Sequence, residues 1–329
     1  MSDLTGKKII LFAPKSFGYE FEIKEALQKK GAVVYLYDER PSNNSIIKAI
    51  IRIKKNLLTF YSEKYFFGIL NKHLNENIDY FLVIRGEAFT KKAVRFIRES
   101  FSSAELILYL WDSIENNNVT KILDLFNRTY TFDRIDSQKI KKLTFRPLFF
   151  IPDYNKISYN MDFLYDVLFI GTVHSDRYKF IRTIEKYLKD SNIKLYFFFF
   201  FQSRLLYIRK RIFDKSFSKT RMKDFNYIPL SKKETLKFVE QSKIILDIQH
   251  PKQNGLTMRT IESIGAKRKL ITTNPHIINY DFYNKENIYI INRTDTEMNK
   301  SFLESPYTEI PQDIYNRYSI DSWVNDLFL

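Results

Sequence analysis

Short apolar runs alternate with stretches of helical spacing along the chain. Lys8–Ala13 (KIILFA) predicts a buried strand, because a brief unbroken apolar run suits a strand covered on both faces. Glu20–Lys30 then places Phe21, Ile23, Ala26 and Leu27 at helical spacing, and Gly31 stops it. Ala32–Tyr37 predicts a second strand and Ser45–Phe67 helical stretches. Tyr80–Ile84, Leu106–Leu110 and Thr129–Phe132 read as strands, with Thr90–Ser100 and Val119–Phe126 as the helices between them. Strand–helix–strand repetition with short connections predicts a parallel sheet covered on both faces.

The rhythm breaks after the extended segment Arg146–Pro152. Asp153–Met161 is polar and has no clear period. A second series follows: strand Asp166–Ile170 ending in Gly171, helix Arg177–Leu188, strand Lys194–Phe201, helix Lys232–Glu240, strand Lys243–Ile248, helix Leu256–Ala266, strand Lys269–Thr273 and short strand Asn287–Ile291. The pattern predicts an α/β protein of two tandem doubly wound, Rossmann-like domains, 1–155 and 156–311. Gln312–Leu329, with Tyr315, Tyr318, Trp323 and Leu327, reads as a closing amphipathic helical segment. Ligands of such sheets sit at the carboxyl ends of the strands, so a cleft between the two domains is the expected active site.

Composition narrows the chemistry. The 329 residues suit about two domains. There is no cysteine, which removes disulfides, thiolate metal sites and Cys nucleophiles and fits a reducing compartment. The net charge of +15 suits nucleic acid, an anionic membrane surface, anionic small molecules such as nucleotide diphosphates, or simply a lysine-rich solvated surface. No secretory signal is visible, and the most apolar run, Leu195–Phe201, is far shorter than the ~20 residues of a membrane span. The expectation is a cytoplasmic protein.

Leu246–Asn274 (LDIQHPKQNGLTMRTIESIGAKRKLITTN) is the most informative stretch. A strand ends, a polar loop with Asn254 and Gly255 follows, and a helix opens near Leu256–Thr257. A helix start suits a diphosphate through its N–H groups and dipole. Arg259 on the first turn adds charge-assisted hydrogen bonds, and Glu262 offers a carboxylate to ribose hydroxyls. Phe169–Arg177 (FIGTVHSDR) follows another strand: Gly171 permits close approach, and Thr172, His174 and Arg177 suit phosphate oxygens. It reads equally as a turn with Ser175 or Asp176 capping a helix.

The helix with its glutamate, then Gly and a strand, resembles the donor-site signature of GT-B glycosyltransferases. Glu262 matches the second glutamate of their E-x7-E pattern, whereas the first falls on Asn254. The strings FGYE (Phe17–Glu20), IRGE (Ile84–Glu87), YLWDS (Tyr109–Ser113), FRPLF (Phe145–Phe149), FIGTVHSDR and GLTMRTIE (Gly255–Glu262), in this order, resemble a bacterial family of capsule, exopolysaccharide and lipopolysaccharide biosynthesis proteins. The resemblance implies a GT-B fold, with the first domain on the acceptor side, the second holding the nucleotide sugar (UDP-linked by family frequency), and the 312–329 segment packing back on the first. It also implies that backbone groups of Ile228 and Leu230 line the nucleotide base; Asn226–Ser231 reads equally as a buried strand with Ser231 as a helix cap.

Sugar transfer with inversion needs a base for the acceptor hydroxyl. Asp112, Glu87 and Glu20 stand just past strand ends of the first domain, Asp112 beside Trp111, which suits a sugar face. Asp112 equally suits a helix cap or a partner for Arg85, and Arg85 and Arg146 suit either the cleft or these carboxylates. His73, His174, His250 and His276 lack metal-ligand spacing, and no D-x-D occurs, so neither a metal nor any cofactor beyond the donor is expected. Lys48–Phe67 and Arg204–Lys223 mix basic and apolar residues. They read as segments lying peripherally on the inner membrane face, beside a polyprenyl-diphosphate-linked or glycan acceptor, or as ordinary surface helices. No nucleic-acid-binding module is apparent. The alternatives to a transferase are a non-catalytic nucleotide-sugar-binding assembly subunit and a GT-B-like epimerase.

Overall fold

The computed structural model describes residues 3–41, 59–158, 162–173, 176–188, 192–251, 253–295 and 297–328. Sequence readings at residues 45–58, His174, Ser175 and Met161 lie outside them. The chain divides into two compact units, Met1–Leu148 with Ile320–Leu329, and Phe149–Ser319.

The first unit is built on β1 (Lys8–Ala13), β2 (Val33–Asp38), β3 (Tyr80–Ile84), β4 (Glu105–Leu110), β5 (Arg128–Thr131) and β6 (Thr144–Phe145). They form one sheet in the order β2-β1-β3-β4-β5-β6, with every pairing parallel. Ile9, Ile10, Leu11 and Phe12 are wholly buried, as an unbroken apolar strand requires. Its helices are α1 (Tyr19–Lys29), α2 (Thr59–Leu70), α3 (Lys91–Ser100), α4 (Thr120–Leu123) and α5 (Arg134–Lys139). One sheet face, with Ile10, Phe12, Phe81, Val83, Leu106 and Leu108, packs on Phe66, Val94 and Ile97 of α2 and α3. Thr90 caps α3 by accepting from Ala93 N at 3.1 Å. The helix expected over Val119–Phe126 shrinks to the single turn of α4 and then continues as turns.

The second unit begins with α6 (Pro152–Asn155), where the sequence suggested no element. Pro152 stands at its first position, which its fixed φ suits. Then come β7 (Tyr165–Thr172), α7 (Arg177–Leu188), β8 (Leu195–Phe200), α8 (Arg204–Phe213), α9 (Lys232–Glu240), β9 (Ser242–Asp247), α10 (Met258–Gly265), β10 (Lys269–Thr272), β11 (Ile288–Ile290), α11 (Lys300–Glu304) and α12 (Gln312–Arg317). The strands lie in the order β11-β10-β9-β7-β8, again all parallel. Gly265 closes α10 against Phe150: a Cβ there would stand 2.6 Å from Phe150 Cγ, so only glycine permits the approach. Lys269, buried at the start of β10, donates to Phe302 O at 2.5 Å and Ser305 O at 3.2 Å. It thereby satisfies carbonyls at the end of α11. Burial pushes its ammonium down to about 8.

The segment read as one closing helix is two. α12 belongs to the second unit, and α13 (Ile320–Phe328) belongs to the first. Trp323 is fully buried and meets Tyr109 edge-on at 4.9 Å. Asp326 pairs with Arg146 at 2.7 Å, and Leu327 O accepts from Arg128 at 3.2 Å.

Candidate functional site

In both sheets the order reverses beside the first strand of the unit, at β1/β3 and at β7/β9. Doubly wound sheets bind ligands outside the carboxyl ends at that reversal. The chemistry-bearing residues of each unit gather there.

In the second unit β9 ends at Asp247, whose Oδ2 accepts from Thr257 Oγ1 at 2.6 Å and from Thr260 Oγ1 at 2.8 Å. Thr257 in turn caps α10 by accepting from Thr260 N at 3.2 Å. The strand end therefore grips the helix start, and α10 opens two residues later than the sequence suggested. Leu256 is buried just before it. The loop is fixed from β10: Asn274 donates to Asn254 O at 3.0 Å and Gly255 O at 3.3 Å. Gln253 also donates to Gly255 O at 3.1 Å.

Glu262 is 6% exposed and pairs with Arg259 at 2.8 Å. Tyr154 of α6 lies against both. Burial first, then the Glu262 carboxylate, pushes its phenol well above the ordinary tyrosine range, so it remains a donor. Arg259 and Tyr154 together fix the orientation of the carboxylate.

Two residues named from the sequence also serve the local framework. Arg177 donates to Thr172 O at 3.0 Å and to Ile248 O at 2.8 Å, which braces the ends of β7 and β9. Burial lowers its guanidinium to about 10. Gly171 does not leave open space: a Cβ there would stand 2.7 Å from Phe169 Cζ and 3.2 Å from Arg177 Nη1. Thr172 ends β7 and contributes its carbonyl. Ile228 is 80% exposed and Leu230 half-buried, so this stretch is not a buried strand. Ser231 caps α9 by accepting from Glu234 N at 3.2 Å.

Sequence reasoning missed Arg293, beyond β11. It pairs with Asp176, 117 positions away, and donates to Gln249 O at 2.5 Å. Arg259 and Arg293 act electrostatically on Arg177, with Asp247 and Asp176 as its counter-charges. Three guanidiniums near the carboxyl ends of these strands suit a diphosphate. Nothing local in the run Asn292–Asp295 signals this.

In the first unit a cavity of about 230 Å³ is lined by Pro14, Lys15, Ser16, Arg40, Arg85, Trp111 and Asp112. These residues follow β1, β2, β3 and β4 in turn. Arg85 adopts a left-handed backbone (φ 79°), uncommon for a side chain of its size. Its N–H donates to Tyr109 O at 2.8 Å, and its carbonyl accepts from Asn117 at 3.1 Å. So held, its guanidinium reaches Asp112 at 2.9 Å and Glu87 at 3.0 Å. Arg40 reaches Glu87 at 3.1 Å. Glu87 thus stands one ion pair behind the lining residue Asp112. Glu20, buried in α1, accepts from Ser16 N at 3.1 Å and closes the β1–α1 turn. Trp111 meets Tyr19 edge-on at 5.8 Å. Arg146 is engaged by Asp326 at 2.7 Å.

Glu39, wholly buried beside this group, accepts from Ala88 N at 2.7 Å. Burial pushes its carboxyl up to about 8, and Arg85 and the Ala88 N–H only partly offset that. The native state therefore holds the proton more tightly than the unfolded chain. That contribution to stability is complete below about 4.5 and is lost as pH rises through about 8. Glu39→Gln should remove this slope, which linkage puts at up to about 5 kcal/mol. Urea unfolding at both ends of the window tests it; parallel pH slopes for variant and wild type would refute the assignment.

Among the described residues no group of three or more His, Asp or Glu side chains could hold a metal ion, and no helix is long and apolar enough to cross a membrane.

Two sheets of this order with interleaved helices are the GT-B fold. The fold is shared over nearly the whole chain with solved structures. Anabaena Alr3699/HepE, solved with UDP and glucose, superposes with a TM-score of 0.59 at 9% identity, covering 98% of each chain. A glycosyltransferase from Rickettsia africae gives 0.57 at 11% identity, covering 98% of this chain and 96% of that one. Methanocaldococcus jannaschii UDP-GlcNAc 2-epimerase, with UDP-GlcNAc and UDP, gives 0.52 at 12%, covering 98% and 99%. No protein-family model and no curated protein sequence matches the chain.

Proposed function

We propose that the chain is a glycosyltransferase that moves a sugar from a nucleotide diphosphate, UDP by preference, to a glycan or polyprenyl-diphosphate-linked acceptor in bacterial surface polysaccharide synthesis. The observation that carries the reading is Glu262, buried one turn into α10 and held by Arg259. It stands at the reversal of a sheet whose fold is shared with proteins solved holding UDP. In this reading the start of α10 and Arg259 receive the diphosphate, with Arg293 and Arg177 adding positive potential. Glu262 accepts from the ribose hydroxyls. Asp112 takes the proton of the acceptor hydroxyl, and Trp111 packs on the sugar face. Glu87 and Arg40 hold Arg85, which orients Asp112.

The test incubates purified protein with a panel of nucleotide sugars and lipid-linked acceptors. Transfer from one donor supports the reading. Conversion of a nucleotide sugar without acceptor would assign an epimerase. Donor binding with neither reaction would assign a non-catalytic subunit.

A further inference from the structure

Helix α8 turns only a narrow face into the second unit. Tyr207 is 1% exposed, and its hydroxyl donates to Thr220 O at 2.9 Å; Leu206 packs beside it on the core. The opposite face is apolar too. Leu205 is 77% exposed, Ile208 44% and Ile212 69%; Phe213, at the end of the helix off this face, is 82% exposed. At about 100° per residue, Leu205, Ile208 and Ile212 form one stripe. On the same wheel Arg209 flanks it on one side, with Arg204 and Arg211 on the other; all three are exposed.

The surroundings extend this surface. Arg204 lies over the Tyr227 ring at 5.8 Å, and the Tyr227 hydroxyl donates to Met222 O at 3.2 Å. Ile228, next to Tyr227 in the chain, and Met222 are exposed as well. Between Arg204 and Lys223 there are eight basic residues and one acidic residue, Asp214. Asp214 is occupied locally, accepting from Ser216 N at 3.0 Å.

We propose that α8 docks this unit on an anionic lipid surface, its apolar stripe entering the headgroup–acyl boundary and its arginines lying among lipid phosphates. Charge decides the occupant. A second copy of this chain would set two arginine-rich flanks against each other. A neutral apolar partner would bury the stripe and leave the arginines without counter-charge. Anionic lipid satisfies both the stripe and its flanks. The proposal does not depend on sugar transfer.

The test pellets the full chain with vesicles of phosphatidylcholine, with or without about a third phosphatidylglycerol. Wild type should partition at least tenfold more strongly onto the anionic vesicles, less so at high salt. The exposed-face variants L205Q/I208Q/I212Q and R204E/R209E/R211E should each lose about tenfold or more of that binding. Both should keep the wild-type circular dichroism and thermal midpoint. Equal partition on both vesicle types, no pelleting, or variants binding like wild type would overturn the proposal. So would a wild-type dimer, seen by light scattering, that the triple glutamine variant loses.

Discussion

Asp112→Asn should lower sugar transfer by about a thousandfold and leave donor affinity within a factor of about two, because a positioned general base contributes 10²–10⁴ in rate. The substitution keeps the shape of the side chain and removes its charge, and with it the ability to take a proton. Asp112 lines the first-unit cavity and is gripped by Arg85, so its carboxylate is oriented before any acceptor arrives. Glu87 retains both Arg85 and Arg40 in the variant, which preserves the local ion-pair framework. Steady-state transfer with the active donor–acceptor pair, beside calorimetric donor affinity, separates the two effects. Turnover within tenfold of wild type would take the base role from Asp112, and the corresponding Glu87→Gln variant would then be the one to fail.

Glu262→Ala should show the complementary pattern: loss of nucleotide affinity by roughly 10- to 150-fold, equivalent to about 1.5–3 kcal/mol for hydrogen bonds to a charged acceptor. Removing the carboxylate also strips Arg259 and Tyr154 of their shared partner, so some stability is lost with it. Glu262→Gln keeps an acceptor oxygen and the side-chain volume, and should fall between the alanine variant and wild type. UDP affinity unchanged in both, with folded protein confirmed by its thermal midpoint, would remove the ribose role.

Strands such as β1, β3 and β4 were legible because each is a five- or six-residue, mostly apolar run buried almost throughout. KIILFA and YFLVI occupy the expected positions to the residue. The start of α10 was legible within two residues, because a polar loop and a threonine cap precede it. Long-range partners were not. The bracing role of Arg177 was hidden because its partners, backbone carbonyls such as Ile248 O, leave no sequence signature. Arg293 stayed invisible for the same reason: its carboxylate lies 117 positions away. Glu20 and Asp112 looked alike at strand ends, yet one closes a local turn while the other lines a cavity. Pro152 did carry a helix-start signal, overlooked because only one turn follows it.

Amide hydrogen exchange with and without UDP tests the central claim most directly. The account predicts that saturating UDP slows exchange in the second unit, over the end of β9, the 248–257 loop and the first turns of α10. Glu262→Ala should need roughly 10- to 150-fold more UDP to reach half of that slowing. Protection confined to the first unit, or none at concentrations that saturate nucleotide-sugar enzymes, would contradict it.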